Sequence, residues 1–143
     1  MLNALILHLT NRLILENYYL IDECPDAKFR LYINFSNAEL IKKFTEINRD
    51  IKLTEKFVLA VEAIKNKIAN TTQWNYEGNC EYGDIYAIKI KPNHRFYTIV
   101  VKEGGYRNLY MSRYARKQSN QNDKAIISII NSIKKAQFQI ILP

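Results

Sequence analysis

The sequence predicts a small α+β domain with the order β-α-α-β-β-β-α from residue 28 onward, and three observations carry it. Phe29, Leu31, Ile33 and Phe35 alternate with Arg30, Tyr32 and Asn34, the period-two pattern of a half-buried strand. Leu40, Phe44, Ile47 and Ile51, then Phe57, Val61, Ile64 and Ile68, recur at helical spacing. Three strand-like runs, 84–91, 95–102 and 106–116, are separated by Pro92-Asn93 and by Gly104-Gly105, the second a strong hairpin signal. Together these predict an antiparallel sheet of at least four strands. A helical hairpin over 37–70 packs on one face, and the strand at 29–35 pairs at the sheet edge beside a meander strand.

Local signals set the boundaries. Ser36 with Glu39 three residues on reads as a capping box opening the first helix. The second helix is expected from Thr54. Residues 71–83 are polar and carry Gly78, Asn79 and Gly83, so they read as a loop. Asn122 or Asp123 caps a last helix carrying Ile126, Ile129, Ile130 and Ile133, and Phe138 to Leu142 suits a short edge strand. Before residue 28 the apolar residues have no clean period, and either a helix or a hairpin turning near Asn11–Arg12 fits. The chain therefore divides into an extension, 1–27, and a domain, 28–143.

With 143 residues, 48 % apolar and 24 % charged, the chain suits one globular domain. Cys24 and Cys80 match no zinc spacing, and free thiols are expected. The apolar stretch from Leu2 is interrupted by His8, Asn11 and Arg12, which argues against a membrane span; no signal peptide is evident, and the expected location is cytoplasmic. No glycine-rich phosphate loop, metal constellation or nucleophile elbow is present, which removes the commoner enzyme classes.

The formal charge is +7, and all of it falls between Lys89 and Lys117: eight basic residues against one acid, Glu103, while the rest of the chain balances. Tyr86, Phe96, Tyr97, Tyr106, Tyr110 and Tyr114 are interleaved with or flank these cations. Cations that bind phosphates beside rings that stack on unpaired bases are a pattern for RNA contact; a sheet with one solvated basic face is the plainer alternative.

The run Ile85-Tyr86-Ala87-Ile88-Lys89-Ile90, three residues, then His94-Arg95-Phe96, resembles the RelE/YoeB toxins. Leu109-Tyr110-Met111-Ser112-Arg113-Tyr114 is similar to that group's last strand, and Ala115-Arg116-Lys117-Gln118 before a helix is closer to the HigB branch. The resemblance covers residue 28 to about 136. It implies a RelE/ParE-like fold and the toxin of a type II toxin–antitoxin pair. Such a toxin is a ribosome-dependent mRNA endonuclease using neither metal nor cofactor: the ribose 2′-oxygen attacks the adjacent phosphate and leaves a 2′,3′-cyclic phosphate. Its implied partners are ribosome-bound mRNA and an antitoxin protein.

Such cleavage needs a base, an acid and cations at the phosphorane. The resemblance gives Arg95 the phosphate-stabilising role, suited to a guanidinium that holds two oxygens at once. Lys89 and Lys91, two apart on one strand, leave the same face and are expected to position phosphates or move protons. Arg116 and Tyr114 complete the catalytic candidates, with Arg113, Lys117 and Tyr110 as RNA contacts. Alternation and the family match disagree here: Leu109 and Met111 suggest that Arg113 faces the core, the match brings Arg113 to the site, and a bulge near the strand end would reconcile them. Ala115 stands where YoeB-like members carry a histidine acid, so that acid is not carried over. RelE branches work with Lys, Arg and Tyr alone. Glu77 and Glu81 lie in the loop where such members carry a candidate base. The alternatives are a ParE-like gyrase-binding toxin or a non-catalytic nucleic-acid- or protein-binding module of the same fold.

Overall fold

A computed structural model describes residues 15–117 and 123–141. The elements are β1 (Leu15–Cys24), β2 (Phe29–Asn34), α1 (Ala38–Asn48), α2 (Ile51–Lys65), β3 (Trp74–Cys80), β4 (Gly83–Ile90), β5 (His94–Glu103), β6 (Tyr106–Arg116), α3 (Asp123–Lys135) and β7 (Gln137–Ile141). The seven strands make one sheet in the order β3-β4-β5-β6-β2-β1-β7. β2 runs parallel to β6 and β1 parallel to β7, and the other pairs are antiparallel.

This corrects the expected fold class. The chain is not a RelE/ParE-like antiparallel sheet in the order β-α-α-β-β-β-α with a helical hairpin on one face. Among the described residues it is a curled, half-barrel mixed sheet of seven strands with three helices. The helices lie on both faces. Leu40, Ile47, Phe57, Ala60, Val61 and Ile64 of α1 and α2 bury against Phe29, Leu31, Ile88, Phe96, Leu109 and Met111. Ile130 and Ile133 of α3 bury against Tyr18, Tyr32, Tyr97, Ile99 and Tyr110 on the other face.

Tyrosines explain part of the difference. Tyr18, Tyr32, Tyr97 and Tyr110 look like polar-face residues in an alternating pattern, yet each is at most 4 % exposed. Large rings bury well beneath a covering helix, so β2 is packed on both faces. It sits between β6 and β1 instead of at an edge. The edge at that side belongs to β7, with β1 inside it; residues 1–14, including the proposed turn near Asn11–Arg12, lie outside those described. At the other edge is β3, expected as a loop. An edge strand makes ladder bonds on one side only, so Asn75, Glu77 and Asn79 are tolerated there without apolar alternation.

The first helix is capped by Asn37, not by a Ser36–Glu39 box. Asn37 Oδ1 accepts from the Leu40 amide at 2.9 Å, while Ser36 Oγ accepts from the Asn17 amide at 2.9 Å and so ties β1 to the helix entry. Likewise α2 begins at Ile51, capped by Asp50, three residues before the expected Thr54. For the last helix, Asn122 lies outside the described residues. Asn37→Ala should cost about 1 kcal/mol, the usual value of an N-cap side chain. Urea unfolding checks it; an unchanged midpoint for Asn37→Ala would return the cap to Ser36.

Strand β6 carries the bulge that the conflict in its sequence called for. Tyr97 pairs with Arg113 and Thr98 with Met111, which leaves Ser112 as the extra residue. Beyond it the side-chain parity reverses. Tyr114 joins Leu109 and Met111 on the α1–α2 face, and Arg113 turns to the α3 face. Ser112 is fully buried, but its groups are satisfied: its Oγ accepts from Tyr18 Oη at 2.8 Å and its carbonyl from Asn34 Nδ2 at 3.2 Å.

Candidate nucleic-acid interface

The β4–β5 connection is three residues long, so Lys89 and Arg95 fall directly opposite each other across the strand pair. Both follow the parity of Ala87 and Tyr97 and so leave the α3 face of the sheet. The chain leaving β6 closes the corner, with the Lys117 amide donating to the Asn93 carbonyl at 2.9 Å. The result is a cleft of about 350 Å³ whose walls include Thr72, Lys89, Lys91, His94, Arg95 and Lys117. A neighbouring hollow of about 230 Å³ shares Thr72, Lys89 and Lys91 and adds Lys56 from α2.

Each cation is held differently. Lys89 Nζ donates to the Thr71 carbonyl at 2.9 Å. Burial, with Arg95 and Lys117 close by, holds its pKa below the ordinary lysine value. Arg95 Nη1 lies 3.5 Å from Glu77 Oε1, with side chains 15 % and 12 % exposed. Asn75 Nδ2 donates to the same Glu77 oxygen at 3.2 Å. A carboxylate, a guanidinium and an ammonium are thus brought to one corner of the sheet. Among the described residues no three of His, Cys, Asp and Glu come together as metal ligands would.

The remaining candidates lie elsewhere. Arg116 is the cross-strand partner of His94, exposed, and on the opposite face from Arg95. Tyr114 is buried on that opposite face, with its hydroxyl 2.6 Å from His94 Nδ1. Burial raises the Tyr114 pKa, while burial with Arg116 and Lys43 nearby lowers that of His94. Arg113 is bound to Glu16 of β1 at 2.8 Å and to Ser132 of α3 at 3.1 Å. Tyr110 is 1 % exposed and stacks on Tyr32 at 4.6 Å; burial raises its pKa. Glu81 is exposed in the β3–β4 turn, at the other end of β4 from Lys89, on the order of 25 Å away at about 3.3 Å per residue.

Thr72 of the cleft and Lys56 of the neighbouring hollow are residues that the sequence did not single out. Lys56 has the pattern of a solvated helix face, and only the packing of α2 beside β4 brings it near. No helix of the described residues is long and apolar enough to cross a membrane. Compared with family models, with curated proteins and with solved structures, the chain matches none.

Proposed function

We propose that this chain binds single-stranded RNA by its phosphates at the Lys89–Arg95 cleft and cleaves it as a ribosome-dependent mRNA endonuclease. The observation that carries the reading is the meeting of Lys89, Lys91, Arg95 and Lys117 around one cleft with Glu77 beside Arg95. Four cations in a concave site favour a polyanion, and a planar guanidinium suits a phosphorane. In this reading Glu77 takes the proton of the ribose 2′-hydroxyl as the 2′-oxygen attacks phosphorus. Lys89, whose lowered pKa makes it a better acid than an ordinary lysine, gives a proton to the departing 5′-oxygen. The products are a 2′,3′-cyclic phosphate and a free 5′-hydroxyl. Arg95 holds the non-bridging oxygens throughout. Under this reading the partners are ribosome-bound mRNA and an antitoxin able to cover the cleft.

Salt dependence tests the binding half. Four phosphate contacts to a single strand should give a slope of log affinity against log salt of about −3, and Lys89→Ala should reduce its magnitude by about 0.7. Anisotropy of a labelled oligoribonucleotide measures both. An affinity that ignores salt, or that is the same in wild type and Lys89→Ala/Lys117→Ala, would refute RNA binding at this cleft.

A further inference from the structure

At the other end of β5 and β6 a hollow of about 310 Å³ is walled by Lys28, Lys65, Lys67, Lys102 and Arg107, with Tyr106 beside them. The five cations come from three places in the chain: the β1–β2 turn, the end of α2, and the β5–β6 hairpin. Among the described residues no carboxylate lines the hollow. The fold accounts for two of the cations. Lys65 is paired with Glu62 at 2.9 Å and Asp22 at 3.6 Å. Arg107 donates to the Ile64 carbonyl in the last turn of α2, where a helix dipole favours positive charge.

Lys28, Lys67 and Lys102 are in no ion pair among the described residues. Lys28 and Lys67 are also the two non-glycine residues of positive φ there, at 50° and 60°. Left-handed backbone is uphill for a residue with a Cβ, and glycine would hold either position more easily. Both positions nevertheless carry lysine, and both lysines wall the same hollow. The Lys28 ammonium lies over the hairpin, 3.9 Å from where a Cβ on Gly105 would sit. The φ values themselves belong to the local turns, since the Lys67 amide donates to the Ile64 carbonyl at 3.1 Å as α2 ends and the Lys28 amide to the Pro25 carbonyl at 3.1 Å. What the turns leave open is the residue type, and both positions supply a cation to the hollow.

We propose that this hollow is a second phosphate site, separate from the Lys89–Arg95 cleft, and that its three unpaired lysines bind several linked phosphate groups. Two sources have that chemistry: a free oligophosphate, or the backbone of an RNA long enough to reach from the cleft. The span is roughly 30 Å, from the nine residue steps of β6 that separate Arg107 from Arg116 at about 3.4 Å each.

The tripolyphosphate arm uses the full chain in a Lys89→Ala/Lys117→Ala background, so that there the cleft does not contribute and failure of the cleft reading does not decide the result. Calorimetry with tripolyphosphate reads the free source. Anisotropy with RNAs of about 5 and about 20 nucleotides, lengths below and above that span at about 3.4 Å per stacked nucleotide, reads the other in the wild-type background. Lys28→Gly/Lys67→Gly should weaken tripolyphosphate, or the longer RNA alone, by about tenfold per lysine removed. The thermal midpoint should hold or rise, because glycine relieves the backbone. Lys102→Ala, which changes no strained position, should weaken the same ligand by about tenfold. A loss confined to tripolyphosphate identifies a free oligophosphate, and a loss confined to the longer RNA identifies the backbone. Unchanged affinity for both probes in the folded variants would overturn the proposal.

Discussion

Arg113→Ala should unfold the protein far more readily than it disturbs any ligand, with a stability loss of about 3–5 kcal/mol. The guanidinium reaches both carboxylate oxygens of Glu16, at 2.8 and 3.0 Å, with side chains 13 % and 7 % exposed. It also donates to Ser112 and Ser132, so it joins β1, the β6 bulge and α3. Truncation leaves a buried carboxylate without its counter-charge, which is the costly way to break such a pair. Replacing both partners, as in Glu16→Leu/Arg113→Met, should recover part of the loss because no lone charge remains. Urea unfolding of the two single variants and the double gives the coupling. An Arg113→Ala protein within about 1 kcal/mol of wild type that has lost RNA affinity would restore the RNA contact that the resemblance implied.

If the chain cleaves ribosome-bound mRNA as proposed, Arg95→Ala should reduce that cleavage by about 10²–10³, the usual cost of removing one preorganised group at a developing oxyanion. Arg95 is also Glu77's ion-pair partner, at 3.5 Å, so its loss leaves a partly buried carboxylate less compensated. A smaller stability loss of about 1–2 kcal/mol should accompany it. Arg95→Lys separates the two effects. It keeps the charge beside Glu77 but not the bidentate fork, so stability should return more fully than rate. Single-turnover cleavage together with thermal melts checks both. Equal cleavage rates for wild type and Arg95→Ala would take Arg95 out of the mechanism.

Where the sequence was legible, one short-range rule governed. Gly104 and Gly105 both have positive φ, 58° and 82°, so the β5–β6 turn is tight and β6 begins where alternation places it. Lys89 and Arg95 meet because a three-residue connection aligns them, and Lys91, the first residue of that connection, lines the same cleft. The rest depended on long-range contacts. β1 is hard to read because the buried positions Glu16 and Tyr18 differ in polarity while Tyr19 and Ile21 are exposed; the apolar run without a clean period, Leu5 to Leu15, lies almost wholly outside the described residues. The Ser112 bulge reversed the parity of Tyr114, Arg113 and Arg116, and only the register with β5 fixes its position. Asn37 outcompeted Ser36 as a cap because Ser36 was already bound to β1.

Mapping mRNA 5′ ends on ribosomes after brief expression of wild type and of Arg95→Ala tests the central claim most directly. Cleavage at the Lys89–Arg95 cleft should give new ends clustered in the decoding site with wild type, ending in 5′-hydroxyls, and none with Arg95→Ala. No new ends with wild type, or the same ends with both proteins, would contradict it and leave a binding module in place of an enzyme.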